Sequence, residues 1–297
     1  YSILAEMGYI SKEDLVKTFR KFGSIYEGHV TRHVPGVWYG TGPLGIGVSV
    51  ASSFAHAEKI NHTDQKVFAL VGDGECEEGQ VHEMINFANF HKMDNLILFV
   101  DYNKVQLTDA MVKISGIDVK GFFTGGNWNV LEVDGHDFKA MWKTLGEAYE
   151  NKGRPTVILG HTIMGKGIDF MESAGVSHKA DWHGKAPKPE QIIVPLKNLE
   201  LKKDEAATLE NFRKKIVKWH PEKYHPPKSL SEVKIKTGKP ILYKADELTD
   251  CRSAYGKALL DLAQLNKNVL ALTADLKASV MTKFVDETLP NQHLEFG

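Results

Sequence analysis

Residues 66–103 read KVFALVGDGECEEGQVHEMINFANFHKMDNLILFVDYN. The apolar run at 66–72 suits a central strand. Helical periodicity follows at 80–91, where Val81, Met84, Ile85 and Ala88 share one stripe. A second apolar run, 95–101, reads as another buried strand. Both strands are apolar nearly throughout, as strands buried on two faces are. The alternation continues on both sides of this stretch. Residues 128–133 are a third strand and 137–149 a helix. After Gly153, Arg154 and Pro155, residues 156–161 (TVILGH) are a fourth strand. Upstream, 43–60 reads as a mostly apolar, buried helix. Residues 1–22 read as two short helices, the first closed by Gly8 and the second opened by Ser11 with Asp14. Strands alternating with helices predict an α/β fold, a doubly wound and mostly parallel sheet with helices on both faces.

The pattern changes after residue 162. Residues 163–190 hold many Gly, His, Lys and Pro and show no clear period, so they read as a long functional loop or a linker. An amphipathic helix is expected at 204–219. Residues 220–239 have a Pro- and Lys-rich linker composition. The α/β alternation then resumes, with a helix at 251–265, strands at 268–273 and 293–296, and a short helix between them. Three segments follow: a first domain at 1–190, a linker with a helix at 191–245, and the start of a second, similar domain at 246–297. About 50 residues are too few for a doubly wound core of its own. The chain opens on Tyr1 and not on Met. Both features read as a piece of a longer polypeptide.

Composition excludes several classes. Lys+Arg is 37 against Asp+Glu 38, a formal net charge of −1, without the basic excess of a nucleic-acid binder. Cys76 and Cys251 cannot form a disulfide framework and point to a reducing, cytoplasmic setting. No apolar run reaches the ~18 residues of a membrane span, and no membrane partner is expected.

Gly40-Thr41-Gly42-Pro43-Leu44-Gly45 has the letters of a GxGxxG loop. Only Val37-Trp38-Tyr39 precedes it, and the next strand ends in Gly72-Asp73-Gly74, so a nicotinamide site is the weaker reading. A tight turn that lets a buried helix pack closely accounts for it. Gly72-Asp73-Gly74 carries more. It ends an apolar strand, at the sheet edge where open α/β sheets bind ligands. Glycine on both sides lets a diphosphate approach the backbone. Asp73 supplies a hard anionic oxygen of the kind Mg²⁺ prefers. The next strand ends in Asp101-Tyr102-Asn103, which places Asn103 at the same edge, 30 positions after Asp73. The Val105 carbonyl stands just beyond. Mg²⁺ takes few protein ligands and completes its shell with phosphates and water. The blander alternative is a βα turn with a helix cap.

A GDG followed some 30 residues later by Asn is the thiamine diphosphate motif, and its surroundings resemble transketolase. Residues 72–103 resemble the family pattern GDGxxxEGxxxEAxxxAxxxxLxNLIxxxDxN, with Met84 where Ala is usual. Pro35-Gly36 and residues 41–45 (TGPLG) resemble its PGV…TGPLGQG, with Ile46 in place of Gln. Residues 165–167 (GKG), 183–187 (HGKAP) and 273–276 (TADL) with Ser279 resemble further family segments. The resemblance spans nearly the whole chain apart from the linker.

It implies roles position by position. Asp73, Asn103 and the Val105 carbonyl would hold a divalent metal, Mg²⁺ or alternatively Ca²⁺ or Mn²⁺. Gly42, Leu44, Gly72, Asp73, Gly74, Glu78, Asn103, Leu107 and His183 would form the cofactor site, with Leu44 and Leu107 against its rings. Glu78 and Glu83 match acids at the dimer interface; as plain residues they read as helix N-terminal acids favoured by the dipole. Of 13 histidines, His29 and His183 match catalytic and substrate-contacting ones. His33 has no match, and His161 stands where related sequences often carry Lys. A zinc site built on His29-x₃-His33 or His178-x₄-His183 lacks cysteine partners and a helical frame. Arg252 and Ser279 match the residues that bind the substrate phosphate, which suits an Arg fork.

The implied activity is transfer of a two-carbon ketol unit from a ketose phosphate to an aldose phosphate. The implied assembly is a homodimer with its active site at the subunit interface. A glutamate that contacts the aminopyrimidine in the family would fall just after Gly297, so this stretch alone is expected to be inactive. Competing readings are another thiamine diphosphate enzyme (deoxyxylulose-phosphate synthase, dihydroxyacetone synthase or 2-oxo acid dehydrogenase E1), a non-catalytic remnant, and a nicotinamide oxidoreductase.

Overall fold

Val81, Met84, Ile85 and Ala88 are all buried, on the helix Gly79–Phe90. The same i, i+3, i+4, i+7 spacing buries Val48, Ala51, Ser52 and Ala55 on Ile46–Ile60. Each stripe is an apolar face laid on a sheet. The computed structural model describes residues 1–37, 39–215 and 234–295. Chain contacts divide it into two compact units, Tyr1–Lys223 and Tyr224–Gly297.

The first unit holds helices α1 (Ser2–Glu6), α2 (Lys12–Thr18), α3 (Ile46–Ile60), α4 (Gly79–Phe90), α5 (Met111–Ile114), α6 (Val119–Gly125), α7 (Phe138–Glu150), α8 (Asp169–Val176), α9 (Pro189–Asn198) and α10 (Lys203–Lys215). Its strands are β1 (Val67–Gly72), β2 (Leu96–Tyr102), β3 (Asn129–Asp134) and β4 (Thr156–His161). They form one sheet in the order β1-β2-β4-β3, parallel throughout. Alternate residues of β2 face opposite layers. Leu96, Leu98 and Val100 pack with α3, α4 and α6 in the larger core. Ile97, with Phe99 beside it, packs with Ile158, Val133 and Ala148 on the α7 side. The sheet is therefore double-layered over β2-β4-β3. At edge strand β1 the second face is bare: Phe68 and Leu70 are 57% and 71% exposed.

Caps set several helix starts. Ser11 accepts the Asp14 amide at 3.2 Å, and Asp137 accepts the amides of Lys139 and Ala140. Between α3 and α4 the His56 ring lies 4.5 Å from that of His91 and 5.6 Å from Phe87, centroid to centroid.

Residues 163–190 are not the irregular loop that composition suggests. They contain α8, a 3₁₀ turn at Ala180–Trp182 and the start of α9. The cause is close backbone packing. A Cβ on Gly175 would lie 2.1 Å from the Met164 carbonyl oxygen, and one on Gly165 would lie 2.5 Å from Met171 Cβ. Glycines let α8 fold down on its own approach segment, and no periodicity announces that. The expected helix at 204–219 is described to Lys215. Residues 216–233 of the linker, Trp38, Phe296 and Gly297 lie outside the described residues.

The second unit contains α11 (Cys251–Leu265), α12 (Lys283–Thr288) and a parallel pair of β5 (Ala271–Thr273) with β6 (His293–Glu295). Strand β5 is shorter than the apolar run predicts, because the Val269 amide turns back to the Asn266 carbonyl. Ala263, Ala271 and Val285 form its small core.

Candidate active site

Gly72 at the end of β1 stands in register with Asp101 of β2, so the residues after both strands emerge together. Asp73 is 2% exposed. It caps a 3₁₀ turn, Gly74–Glu77, and its Oδ1 accepts the Gly74 amide at 2.8 Å. Its Oδ2 accepts the Lys104 amide at 2.5 Å. Burial pushes the Asp73 carboxyl above its ordinary range, and the two amides act against that. Each oxygen keeps a lone pair beyond its amide bond. Asp101 is engaged elsewhere, accepting the Thr162 hydroxyl.

The loop after β2 is built around the same carboxylate. Lys104 adopts φ +63°, rare for a non-glycine residue. The Asn103 side-chain oxygen accepts the Val105 amide at 2.9 Å. Val105 is buried and bridges Ala110, and the Lys104 carbonyl accepts the Met111 amide. Lys104, the residue between the two expected donors Asn103 and Val105, is thus hydrogen-bonded to the third, Asp73. The resulting set is one carboxylate, one amide oxygen and one carbonyl. Among the described residues no three His, Cys, Asp or Glu side chains gather as a metal cluster. The donor chemistry at Asp73 fits a hard cation that takes its remaining ligands from phosphate and water, and it does not fit zinc.

Two further segments border this edge. The turn at His183-Gly184 lies against Leu107: a Cβ on Gly184, at φ +76°, would stand 3.5 Å from Leu107 Cδ1. His183 is exposed, and Leu107 is 70% exposed. On the other side, a cleft of about 890 Å³ is lined by His29, Gly42, Leu44, Phe68, Leu70 and Glu75, among others. A Cβ on Gly42 would lie 3.4 Å from the His29 ring. Glu75 belongs to both places, since its Oε1 accepts the Gly45 amide at 2.9 Å.

Glu78 is exposed at the N-terminus of α4 and makes no side-chain capping bond there. Its Cβ would stand 2.5 Å from a Cβ on Gly45, so the glycine loop and α4 meet closely. Glu83 is exposed one turn on, bonded to Gln80. Arg252 and Ser279 belong to the second unit. Arg252 is exposed on α11, its Nε 3.8 Å from Asp250 Oδ1. The Ser279 amide donates to the Leu276 carbonyl. His161 ends β4 and contacts Glu132 at 2.9 Å, and Glu132 also binds Lys120 at 2.5 Å. The Lys120 and His161 contacts hold the Glu132 carboxyl below its usual range.

Sequence reasoning missed Glu75, Glu77 and Gln106. The two acids look like ordinary helix-start residues. Only their long-range partners mark them, and nothing local signals those.

A doubly wound parallel sheet with acidic and glycine turns gathered at its C-terminal strand ends is the architecture of a cofactor-phosphate domain. Residues 1–215 match the family described as "Transketolase, thiamine diphosphate binding domain". The chain belongs to the transketolase family. It is 31% identical over 297 residues to transketolase-like protein 2 of Homo sapiens, covering 99% of this chain and 45% of that protein. It is 30% identical over 301 residues to transketolase of Mus musculus, again covering 99% of this chain and 45% of that protein. The crystal structure of transketolase from Campylobacter jejuni superposes with a TM-score of 0.73 at 28% identity. It covers all of this chain and 50% of that structure. The chain spans about half the length of these relatives. Among the described residues no helix is long and apolar enough to cross a membrane.

Proposed function

We propose that this chain is the cofactor-diphosphate part of a transketolase, transferring a two-carbon ketol unit from a ketose phosphate to an aldose phosphate with thiamine diphosphate and a divalent metal, normally Mg²⁺. One observation carries the reading: in a chain of this family, buried Asp73 binds the amide of Lys104, between Asn103 and Val105, beside the Gly72–Gly74 turn. The cofactor, when bound, supplies the thiazolium that makes cleavage of a bond next to a ketone feasible. The residues do the rest. Asp73, Asn103 and the Val105 carbonyl hold the cation. Gly72, with no atom of the described residues beyond its chain neighbours within 4 Å of where a Cβ would stand, leaves the backbone open to the diphosphate, and Gly74 lies against that diphosphate. Gly42, Leu44 and Leu107 line the place of the rings. His29 and His183 bind the sugar hydroxyls and carry protons. Arg252 and Ser279 grip the substrate phosphate. Glu78 faces a second copy, in a homodimer whose active site lies between subunits. Residues 1–190 form the diphosphate domain, and 246–297 open the pyrimidine-binding domain. The same reading makes it a cytoplasmic enzyme.

Calorimetry with thiamine diphosphate and Mg²⁺ tests the core of this. The wild-type protein should bind, and Asp73→Ala should lose Mg²⁺-dependent binding while keeping its circular dichroism spectrum. Unchanged affinity in Asp73→Ala would refute the assignment. A coupled assay of the complete enzyme should show turnover with a ketose phosphate and an aldose phosphate. Turnover with pyruvate alone would move it to another enzyme of the same cofactor.

A further inference from the structure

The 3₁₀ turn between β1 and α4 carries two carboxylates that the proposed function leaves unassigned. Glu77 Oε1 accepts from Gln106 Nε2 at 2.5 Å and from the Ser115 hydroxyl at 2.6 Å, residues 29 and 38 positions away. Gln106 in turn lies against Gly74, where a Cβ would meet its Cγ at 3.2 Å. Glu75 serves the other side. Its Oε1 accepts the Gly45 amide at 2.9 Å, and its Oε2 the Gly72 amide at 3.4 Å.

We propose that Glu75 and Glu77 are positioning residues that fasten two cofactor-facing loops, 40–45 and 103–115, to the Gly72–Gly74 turn. The inference rests on the cofactor reading above and adds to it the groups that hold the site in shape. Hydrogen bonds to a carboxylate are roughly twice as strong as neutral ones. Loop 103–115 contains Lys104 in a left-handed conformation, which persists only where surrounding contacts over-determine it. Asp73 supplies one such contact and Glu77 two more. Without Glu77, Asn103 and Val105 must be ordered when the ligand binds, and that cost is subtracted from the affinity.

The test compares Glu77→Ala with Glu77→Gln, which keeps one acceptor oxygen for both donors. Two readouts are taken: calorimetric affinity for thiamine diphosphate with Mg²⁺, and amide hydrogen exchange of the cofactor-free protein. Glu77→Ala should weaken binding about tenfold and speed exchange at the Lys104 and Gln106 amides about tenfold, with β1 amides unchanged. Glu77→Gln should stay within about threefold of wild type on both. Unchanged exchange at Lys104 and Gln106 in Glu77→Ala overturns the proposal, whatever the affinity does. Faster exchange spread equally over β1 and α4, with no rescue by Gln, marks a general structural role and also overturns it. A wild-type protein that fails to bind thiamine diphosphate sinks the proposed function instead, while the exchange comparison still decides the fastening.

Discussion

The His56 ring is wedged between α3 and α4 with both nitrogens buried and, among the described residues, without a hydrogen-bond partner. Its centroid is 4.5 Å from that of His91. Burial first, then His91 and Lys59, hold its pKa at about 4 instead of 6.5. Lys59, one turn along α3, is itself paired with Asp94 at 2.8 Å. On acidification the unfolded chain, with an ordinary imidazole, takes up a proton before the folded one does. The stability tied to this residue is therefore whole above about pH 6.5 and is lost as pH falls toward about 4. Between about pH 7 and pH 5 the loss comes to roughly 2 kcal/mol, a large share of the ~5–15 kcal/mol that holds a domain folded. His56→Met, similar in size and uncharged, should remove that dependence. Urea unfolding followed by tryptophan fluorescence at both pH values measures it. The wild type should lose roughly 2 kcal/mol more than His56→Met. Equal losses in the two proteins would show that His56 titrates normally and that the packing argument is wrong.

Two other outcomes follow from particular contacts. Gly45 sits at φ +77° with Glu78 against it. Gly45→Ala should cost about 1–3 kcal/mol from the left-handed backbone and the clash, read as a lower thermal midpoint; an unchanged midpoint contradicts the assigned geometry. Burial and the neighbouring carboxylates Asp73, Glu75 and Glu77 push the Cys76 thiol up to about 12, whereas Cys251 is exposed. Iodoacetamide at mildly alkaline pH should label Cys251 alone in the folded protein, and mass spectrometry finding Cys76 labelled as fast would count against the buried assignment.

Much of the first unit is legible in one dimension. Stripes such as Val81, Met84, Ile85 and Ala88 follow from helical pitch, and the apolar runs of β2 and β4 follow from burial on two faces. The pairing of Asp73 with the Asn103 loop is legible too, because consecutive strands joined by a helix usually lie side by side and end at the same edge. Other features depend on partners far away along the chain. The order β1-β2-β4-β3 inserts β4 between β2 and β3, a choice among topologies that local pattern leaves open. Phe68 and Leu70 read as core residues and stand exposed, because α7 covers only the rest of that face. Helix α8 depends on glycines that admit a neighbouring backbone. Glu75 and Glu77 differ by two positions, yet one reaches Gly45 and the other Gln106 and Ser115.

The sequence by itself determined the periodic elements, the strand-end position of Asp73 and Asn103, and the family resemblance, because each depends on residues close along the chain or on a motif with fixed spacing. Only the tertiary structure decided the strand order, the bare face of β1 and the carboxylates that fasten the loops. A hydrogen bond between residues tens of positions apart depends on how the chain returns, and no local propensity encodes that path.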